Sequence, residues 1–163
     1  MINIYVDGSC VGNGKIRNFG GFGVIVIDNN EKLLFNYSKK SENTTNNREE
    51  LKAILYAFLN YGVNIHNENN FGVEIPVVYS DSNYCVQTFN EWMFAWANRG
   101  WIKSDNQTPE NLDLIQAYYD WYKKGYRIEL KKVKGHAGNK WNEAADFLAT
   151  GKMTTDEVYK YYG

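Results

Sequence analysis

A chain of 163 residues is near the usual size of one domain built around a single hydrophobic core. Its composition is 44% hydrophobic and 23% charged, and no apolar run is long enough to cross a bilayer, so we expect no membrane insertion and a cytoplasmic protein. The net charge of −1 excludes binding of nucleic acid through bulk positive charge, so any such binding must be local.

The first half of the chain predicts a small sheet followed by a helix. Three short apolar runs are typical of strands, and an Asp-Asn-Asn-Glu turn between the last two suits a hairpin; the runs are residues 2–6, 21–28 and 33–37. We therefore expect three antiparallel strands. Apolar residues then recur at three- and four-residue spacing over residues 47–61, which predicts an amphipathic helix docked on this sheet. Its apolar positions are Leu51, Ile54, Leu55, Phe58 and Leu59.

The second half of the chain alternates helices and strands. An Asn-rich stretch over residues 62–74 is predicted as a loop, and residues 75–80 as a buried strand entered through a proline. Helices are predicted at 82–89, 92–97, 110–124 and 142–149, with a strand at 127–133. This order predicts an α/β domain over residues 1–150 and a short C-terminal tail over 151–163. Its mixed sheet has five strands, three antiparallel and two reached by helical crossovers, with helices on both faces.

Two aspartates stand where predicted strands end. Asp7 follows the first strand and Asp81 follows the fourth. Ligands of open α/β sheets bind at strand ends where the chain order reverses, so both carboxylates are candidates for a site. Taken singly, each aspartate could equally cap the turn or helix that follows it.

The helix over residues 47–61 distinguishes between two adjacent glutamates. At 100° per residue Glu49 lies roughly opposite the apolar stripe, whereas Glu50 lies on its flank. We therefore expect Glu50 to face the edge of the sheet and Glu49 to face water. Asp146 belongs to the last predicted helix, where Ala144 and Ala145 would allow close approach to the sheet, but periodicity alone does not orient it.

Convergence of these carboxylates would require a cation. Two bare carboxylates about 4 Å apart repel by roughly 4 kcal/mol at an effective dielectric of 20. Oxygen ligands suit hard cations, and a site with positions open for water and phosphate oxygens suits Mg²⁺, with Mn²⁺ able to substitute. Two such ions about 3.5–4 Å apart would stabilise the attacking and leaving oxygens of a phosphodiester. The carboxylates therefore predict a metal-dependent nuclease.

Five short motifs are spread along nearly the whole chain. They are Tyr5-Val6-Asp7-Gly8-Ser9-Cys10, Thr45-Asn46-Asn47-Arg48-Glu49-Glu50-Leu51, Ser80-Asp81-Ser82-Asn83-Tyr84, Lys134-Gly135-His136-Ala137-Gly138 and Asn142-Glu143-Ala144-Ala145-Asp146. In order and spacing they resemble the ribonuclease H family, type 1, which cuts the RNA strand of RNA·DNA hybrids. The resemblance implies a ribonuclease H-like fold and a free-standing catalytic domain. We expect a monomer whose partner is an RNA·DNA hybrid duplex.

The same resemblance assigns the catalytic residues. It implies that Asp7, Glu50, Asp81 and Asp146 hold two Mg²⁺ ions, and so adds Asp146 to the set of metal ligands. It also implies that hydrolysis leaves 5′-phosphate and 3′-hydroxyl ends. It also implies that His136, in a glycine-flanked loop, assists proton transfer or product release. An ordinary surface histidine is the alternative.

Contacts with the hybrid are implied at short polar residues that read ribose 2′-hydroxyls, with turn or cap roles as the alternative. These residues are Gly8, Asn13, Thr45, Asn46, Asn47 and Asn83. Trp92, Trp96, Arg99 and Trp101 resemble the start of a protruding substrate-binding handle, although the first two tryptophans could instead belong to the core.

The handle departs from the lysine- and arginine-rich pattern of bacterial relatives. Residues 90–111 carry two cations and three acids, a net charge of −1. Other cations that could compensate are Lys131, Lys132 and Lys134, although a lysine-bearing strand face is more often simply solvated.

Two other functions remain open from the sequence. A hybrid-binding module that has lost catalysis is one, although all four acids are present. An actin-like or sugar-kinase-like phosphotransferase is the other, because Asp-Gly-Ser after a first strand also occurs there. That fold needs a second similar domain, which 163 residues cannot hold.

Overall fold

A computed structural model describes residues 1–15, 17–135 and 137–163. The strands are β1 (Asn3–Val11), β2 (Phe19–Ile27), β3 (Leu33–Glu42), β4 (Val63–Asn64), β5 (Val77–Ser80), β6 (Tyr126–Arg127) and β7 (Glu129–Lys132). The helices are α1 (Asn46–Tyr61), α2 (Asn83–Gln87), α3 (Met93–Asn98), α4 (Leu112–Lys123), α5 (Lys140–Thr150) and α6 (Thr155–Tyr162). Among the described residues, no helix combines the length and apolar character needed to cross a membrane.

Five strands form one mixed sheet in the order β3-β2-β1-β5-β7. The first three strands pair antiparallel, and β5 and β7 add in parallel on the other side of β1. The β2–β3 turn is the predicted hairpin, because Asp28 Oδ1 accepts hydrogen bonds from the backbone N–H groups of Asn30 and Lys32 at 2.8 and 2.9 Å. The predicted α/β class and five-stranded sheet are confirmed.

Helices cover both faces of this sheet. On one face α1 packs on β1 and α4 packs on α1, with Leu51, Ile54 and Phe58 at most 1% exposed. Leu59, which the apolar spacing placed in the buried stripe, is 45% exposed, so the stripe is narrower than predicted.

On the opposite face α5 lies directly against β2. Gly23 allows this contact, because a Cβ at that position would lie 2.5 Å from both the carbonyl oxygen of Ala145 and Cβ of Leu148. Trp141, in the first turn of α5, is 1% exposed, and its Nε1 donates to Glu31 at 3.0 Å. The alanines of α5 therefore do permit the close approach that the sequence suggested.

Three segments differ from the predicted elements. The loop predicted over 62–74 contains β4, which pairs with β6, and a 3₁₀ helix at Glu68–Asn70. The helices predicted at 82–89 and 92–97 are joined through a π-helical segment at Thr88–Trp92. The predicted tail contains α6, which begins with a capping box between Thr154 and Glu157 and buries Val158. That capping box is readable in the sequence, whereas two-residue strands carry no periodicity.

Candidate active site

Asp7 lies within β1 and not at its end, because β1 continues its pairing with β2 as far as Val11. The expectation that Asp7 ends the first strand was therefore wrong. The parallel pairing of β1 with β5, however, stops at Tyr5. Asp7 thus lies just beyond this pairing, 5% exposed, with its carboxylate near that of Asp81.

A stacked pair of tyrosines precedes the two aspartates. Tyr5 and Tyr79 are register partners, and two residues further along the chain come Asp7 and Asp81. The ring centroids are 4.8 Å apart and the ring planes differ by 17°. The stack joins β1 to β5 next to the carboxylates. Its sequence signal is an aromatic residue two positions before each aspartate.

Asp81 follows β5 directly and is partly buried. Ser82 caps α2 in its place, because Ser82 Oγ accepts the backbone N–H of Cys85 at 3.2 Å. Gly135 packs so closely that a Cβ there would lie 2.9 Å from Asp81 Oδ2. Helix capping therefore does not explain Asp81.

Glu50 reaches Asp7 because the first turn of α1 packs directly on β1. A Cβ at Gly8 would lie 2.3 Å from the backbone nitrogen of Glu50, so only glycine permits this contact. Thr45 caps the helix, since its hydroxyl accepts the N–H of Arg48 at 3.0 Å. Glu50 is 7% exposed and faces the sheet, as the helical periodicity predicts.

Glu49 does not face water, and that prediction was wrong. The residue is 0% exposed, its Oε2 lies 2.7 Å from Lys52 Nζ, and the hydroxyl of Thr44 donates to the same oxygen at 2.6 Å. Lys52 also donates to Ser41 of β3 at 2.7 Å. A helical wheel assigns only apolar positions to the interior, whereas a paired and hydrogen-bonded charge can also be buried.

The structure brings together all four predicted acids. Carboxylate oxygens of Asp7, Glu50 and Asp81 lie within 4.8 Å of one another. Asp146 of α5 lies beside them, close enough to raise the pKa of both Asp7 and Glu50. Asp7 lies on β1 and Asp81 directly follows β5, whereas Glu50 and Asp146 lie on helices that cover opposite faces of the sheet.

The cluster disfavours negative charge in the protein alone. Burial raises the pKa of Asp7, and the hydrogen bond and charge of Glu50 raise it further. Burial also raises the pKa of Glu50, opposed by the hydrogen bond that it accepts from Asp7. Glu50 Oε2 is buried and has no hydrogen-bond partner within the part of the chain that the structure describes. Crowded carboxylates with an unpaired oxygen fit a hard divalent cation, which would favour their ionised forms.

His136 lies outside the described residues, so its predicted role stays a prediction. The structure places Gly135, its neighbour in the chain, against Asp81.

Most of the predicted polar contacts lie at the starts of α1 and α2. Asn13 Oδ1 accepts the backbone N–H of Asn46 at 3.0 Å, which joins the β1–β2 connection to the start of α1. Asn46 and Asn47 are exposed on this start, and Asn83 is exposed at the start of α2, two residues after Asp81. Asn13 and Thr45 therefore do have the turn or cap roles that were the alternative.

The handle forms an open groove with aromatic walls. Tyr84, Trp92 and Trp96 line a cavity of about 500 Å³, with ring centroids 5.8 Å and 6.1 Å apart along the series. The tryptophans are partly exposed, so core packing does not account for their whole surface. Two acids, Asp105 and Glu110, also line the groove.

Trp101 and Arg99 are placed differently from the other handle residues. Trp101 has a left-handed backbone with φ of 65°, and its ring packs edge-on against Tyr119 of α4 at 5.2 Å. Arg99 is exposed just after α3. The only other cation of the handle, Lys103, lies 3.8 Å from Asp105. The groove therefore carries no excess of positive charge.

The chain resembles ribonucleases H in both sequence and structure. The RNase H family matches residues 1–154. A ribonuclease H of Rickettsia massiliae (strain Mtu5) is 37% identical over 164 residues, 98% of this chain and 96% of that protein. The crystal structure of LC9-RNase H1, a type 1 RNase H with the type 2 active-site motif, is 32% identical with a TM-score of 0.68, over 96% of this chain and 74% of that one. LC11-RNase H1, solved in complex with an RNA/DNA hybrid, shares the fold at 21% identity and a TM-score of 0.61, over 98% and 99% of the two chains. The chain therefore belongs to the ribonuclease H family.

Proposed function

We propose that this member of the family is an endoribonuclease that hydrolyses the RNA strand of RNA·DNA hybrids by two-metal-ion catalysis, leaving 5′-phosphate and 3′-hydroxyl ends. The observation that carries the proposal is the convergence of Asp7, Glu50 and Asp81 within 4.8 Å, with Asp146 close enough to raise the pKa of Asp7. The hybrid bound to the related LC11-RNase H1 supports the choice of substrate. The catalytic unit, assigned to residues 1–150, acts as a monomer.

The four acids hold the metal in this proposal. Asp7, Glu50, Asp81 and Asp146 supply only oxygen donors, which suits Mg²⁺ and allows Mn²⁺ to replace it. Two ions held by these carboxylates would supply the chemistry of lowering the pKa of a water molecule and neutralising charge on the leaving oxygen. The buried walls of the cluster exclude other water, and no side chain forms a covalent bond to the substrate. His136 assists proton transfer or product release.

Recognition of the hybrid uses two borders of the cluster. Asn13 and the start of α1, with Gly8 beneath it and Thr45 at its cap, offer short polar groups that suit ribose 2′-hydroxyls, as does Asn83. The ring faces of the aromatic groove suit stacking against the other strand. Arg99, exposed just after α3, adds one cation to the handle, and Trp101 packs against α4 through Tyr119.

A panel of duplexes tests this proposal. RNA·DNA, RNA·RNA and DNA·DNA duplexes of one sequence are incubated with the protein and Mg²⁺, and the ends of the products are analysed. We expect cleavage of the RNA strand of the hybrid alone, and the same result for Asp156→Asn, a control that removes an acid from the distant helix α6. Cleavage of all three duplexes would contradict the assigned specificity. Binding of the hybrid without cleavage would instead favour the module that lacks catalysis.

A further inference from the structure

A small groove adjoins the carboxylate cluster at the end of β1 and α5. Its volume is about 250 Å³, and its lining includes Ser9 and Thr150. Ser9 is two residues after Asp7 on β1, and Thr150 is one turn after Asp146 on α5. Residues at these spacings share a face of a strand and of a helix, so the groove continues the surface that carries the acids.

One exposed cation lines this groove, and two more lie on the connection between Val11 and Phe19, which both line it. Lys40 of β3 lines it directly, and Lys15 and Arg17 belong to the connection between β1 and β2. None of the three lies within 4.0 Å of an acidic oxygen in the described ranges of the chain. One acid, Glu42, lines the neighbouring cleft with Arg17. The local balance is therefore positive, unlike that of the handle.

Two exposed apolar side chains lie among these cations. Val11 is 71% exposed and Phe19 is 63% exposed, although they are register partners at the ends of β1 and β2. Both line the groove with Lys40. Cations interleaved with an exposed aromatic ring form the kind of surface that binds a nucleic acid strand, because the cations meet phosphates and the ring packs on sugars or bases.

We propose that this surface, formed by Lys15, Arg17, Lys40, Val11 and Phe19 and called here the β1–β2 track, binds the sugar-phosphate backbone of the hybrid next to the cluster. The track supplies the positive charge that the handle lacks, since Lys103 lies beside Asp105 and only Arg99 remains there without an acidic neighbour within 4.0 Å among the described residues. This inference rests on the proposed function and names a further contact surface for its substrate.

A purely structural role for Lys40 is the competing explanation. Its Nζ would lie 3.9 Å from a Cβ on Gly151, at the C-terminal end of α5, where a cation stabilises the helix dipole. That role would lower thermal stability when Lys40 is replaced, without changing the number of phosphates contacted.

The salt dependence of hybrid binding tests the track. Lys15→Gln, Arg17→Gln and Lys40→Gln are combined in an Asp81→Asn background, so that the hybrid binds with Mg²⁺ but is not cut, and fluorescence anisotropy gives Kd over a series of salt concentrations. We expect the slope of log K against log salt to fall by about 1 for each lost phosphate contact. In the cleaving protein the same changes raise KM and leave kcat unchanged. Lys32→Gln, an exposed lysine just before the first residue of β3 and far along the strand from Lys40, is the matched control and should leave the slope unaltered.

An unchanged slope in the triple variant would overturn the track, as would an equal change in the Lys32→Gln control, which would indicate bulk charge. A lower Tm for Lys40→Gln with a normal slope would assign that lysine to α5 alone. Failure of the unaltered protein to cleave hybrids would reject the proposed function, so the two failures are distinguishable.

Discussion

Asp7 is 5% exposed and faces the carboxylates of Glu50 and Asp81, an arrangement that is unfavourable for the metal-free protein. Each of these groups would be more stable neutral or bound to a cation. At the scale of the residue, these carboxylates therefore lower the stability of the metal-free protein and provide the ligands for a cation.

Asp7→Asn should raise the stability of the metal-free protein while abolishing cleavage. The amide keeps the shape of the side chain and removes a group whose ionisation is disfavoured in the folded state, for an expected gain of about 1 kcal/mol, or about 2–4 °C in Tm for a chain of this size. Because the folded-state pKa of Asp7 is raised, its contribution to stability is full at low pH and is lost as the pH rises towards that pKa. The gain should thus be larger at about pH 8 than at about pH 5 in thermal unfolding with EDTA. Equal Tm values at both pH values would contradict this account.

Substitutions of the adjacent residues Glu49 and Glu50 should affect stability and cleavage activity differently. Glu50→Gln should abolish cleavage without lowering the Tm of the metal-free protein. Glu49→Gln should retain cleavage but lower the stability by roughly 1–2 kcal/mol, because Lys52 loses its charged partner while its partial exposure limits the loss. Initial rates and Tm values of both variants are the measurement. Loss of cleavage in a folded Glu49→Gln protein would show that Glu49 belongs to the site.

At the scale of the element, the position of Asp146 depends on how closely α5 approaches β2. Gly23→Ala would place a methyl group 2.5 Å from backbone and side-chain atoms of α5, so the helix must move. We expect a loss of roughly 1–3 kcal/mol in stability and a higher Mg²⁺ concentration for half-maximal cleavage. Leu148→Ala should lower stability without displacing α5, and so should leave the Mg²⁺ requirement unchanged. A normal Mg²⁺ requirement in Gly23→Ala would separate the packing of α5 from metal binding.

The elements that sequence predicts well are those with their own local signal. The β2–β3 hairpin has its turn residue Asp28, and α1 has its apolar spacing and its cap, Thr45. The capping box at Thr154 is a local signal of the same kind for α6. The β4–β6 pairing has only two residues on each strand and depends on the surrounding fold.

The sequence predicts the position of a site residue when a single strand or helix determines it. It does not do so when the position depends on contact between two elements. Periodicity within α1 selects Glu50. The burial of Glu49 depends on its hydrogen bond with Thr44 and its ion pair with Lys52, and a helical wheel does not show such polar contacts. Periodicity could not orient Asp146, because its place is set by Gly23 on a distant strand. The family resemblance supplied that residue.

At the scale of the whole molecule, the cluster exists only when sheet and helices are assembled. Asp7 comes from β1, Asp81 directly follows β5, Glu50 comes from a helix on one face and Asp146 from a helix on the other. With a net charge of −1, the chain has no general attraction for nucleic acid. Substrate binding must therefore come from local surfaces around the cluster, namely the start of α1, the aromatic groove and the β1–β2 track.

The most direct test is the rate of hybrid cleavage as a function of Mg²⁺ concentration, measured for the unaltered protein and for Asp81→Asn. We predict a rate that saturates with Mg²⁺ and disappears in EDTA for the unaltered protein, and no cleavage at any Mg²⁺ concentration for a folded Asp81→Asn protein. Cleavage in EDTA, or an unchanged rate in Asp81→Asn, would contradict a metal-dependent site built from these four carboxylates.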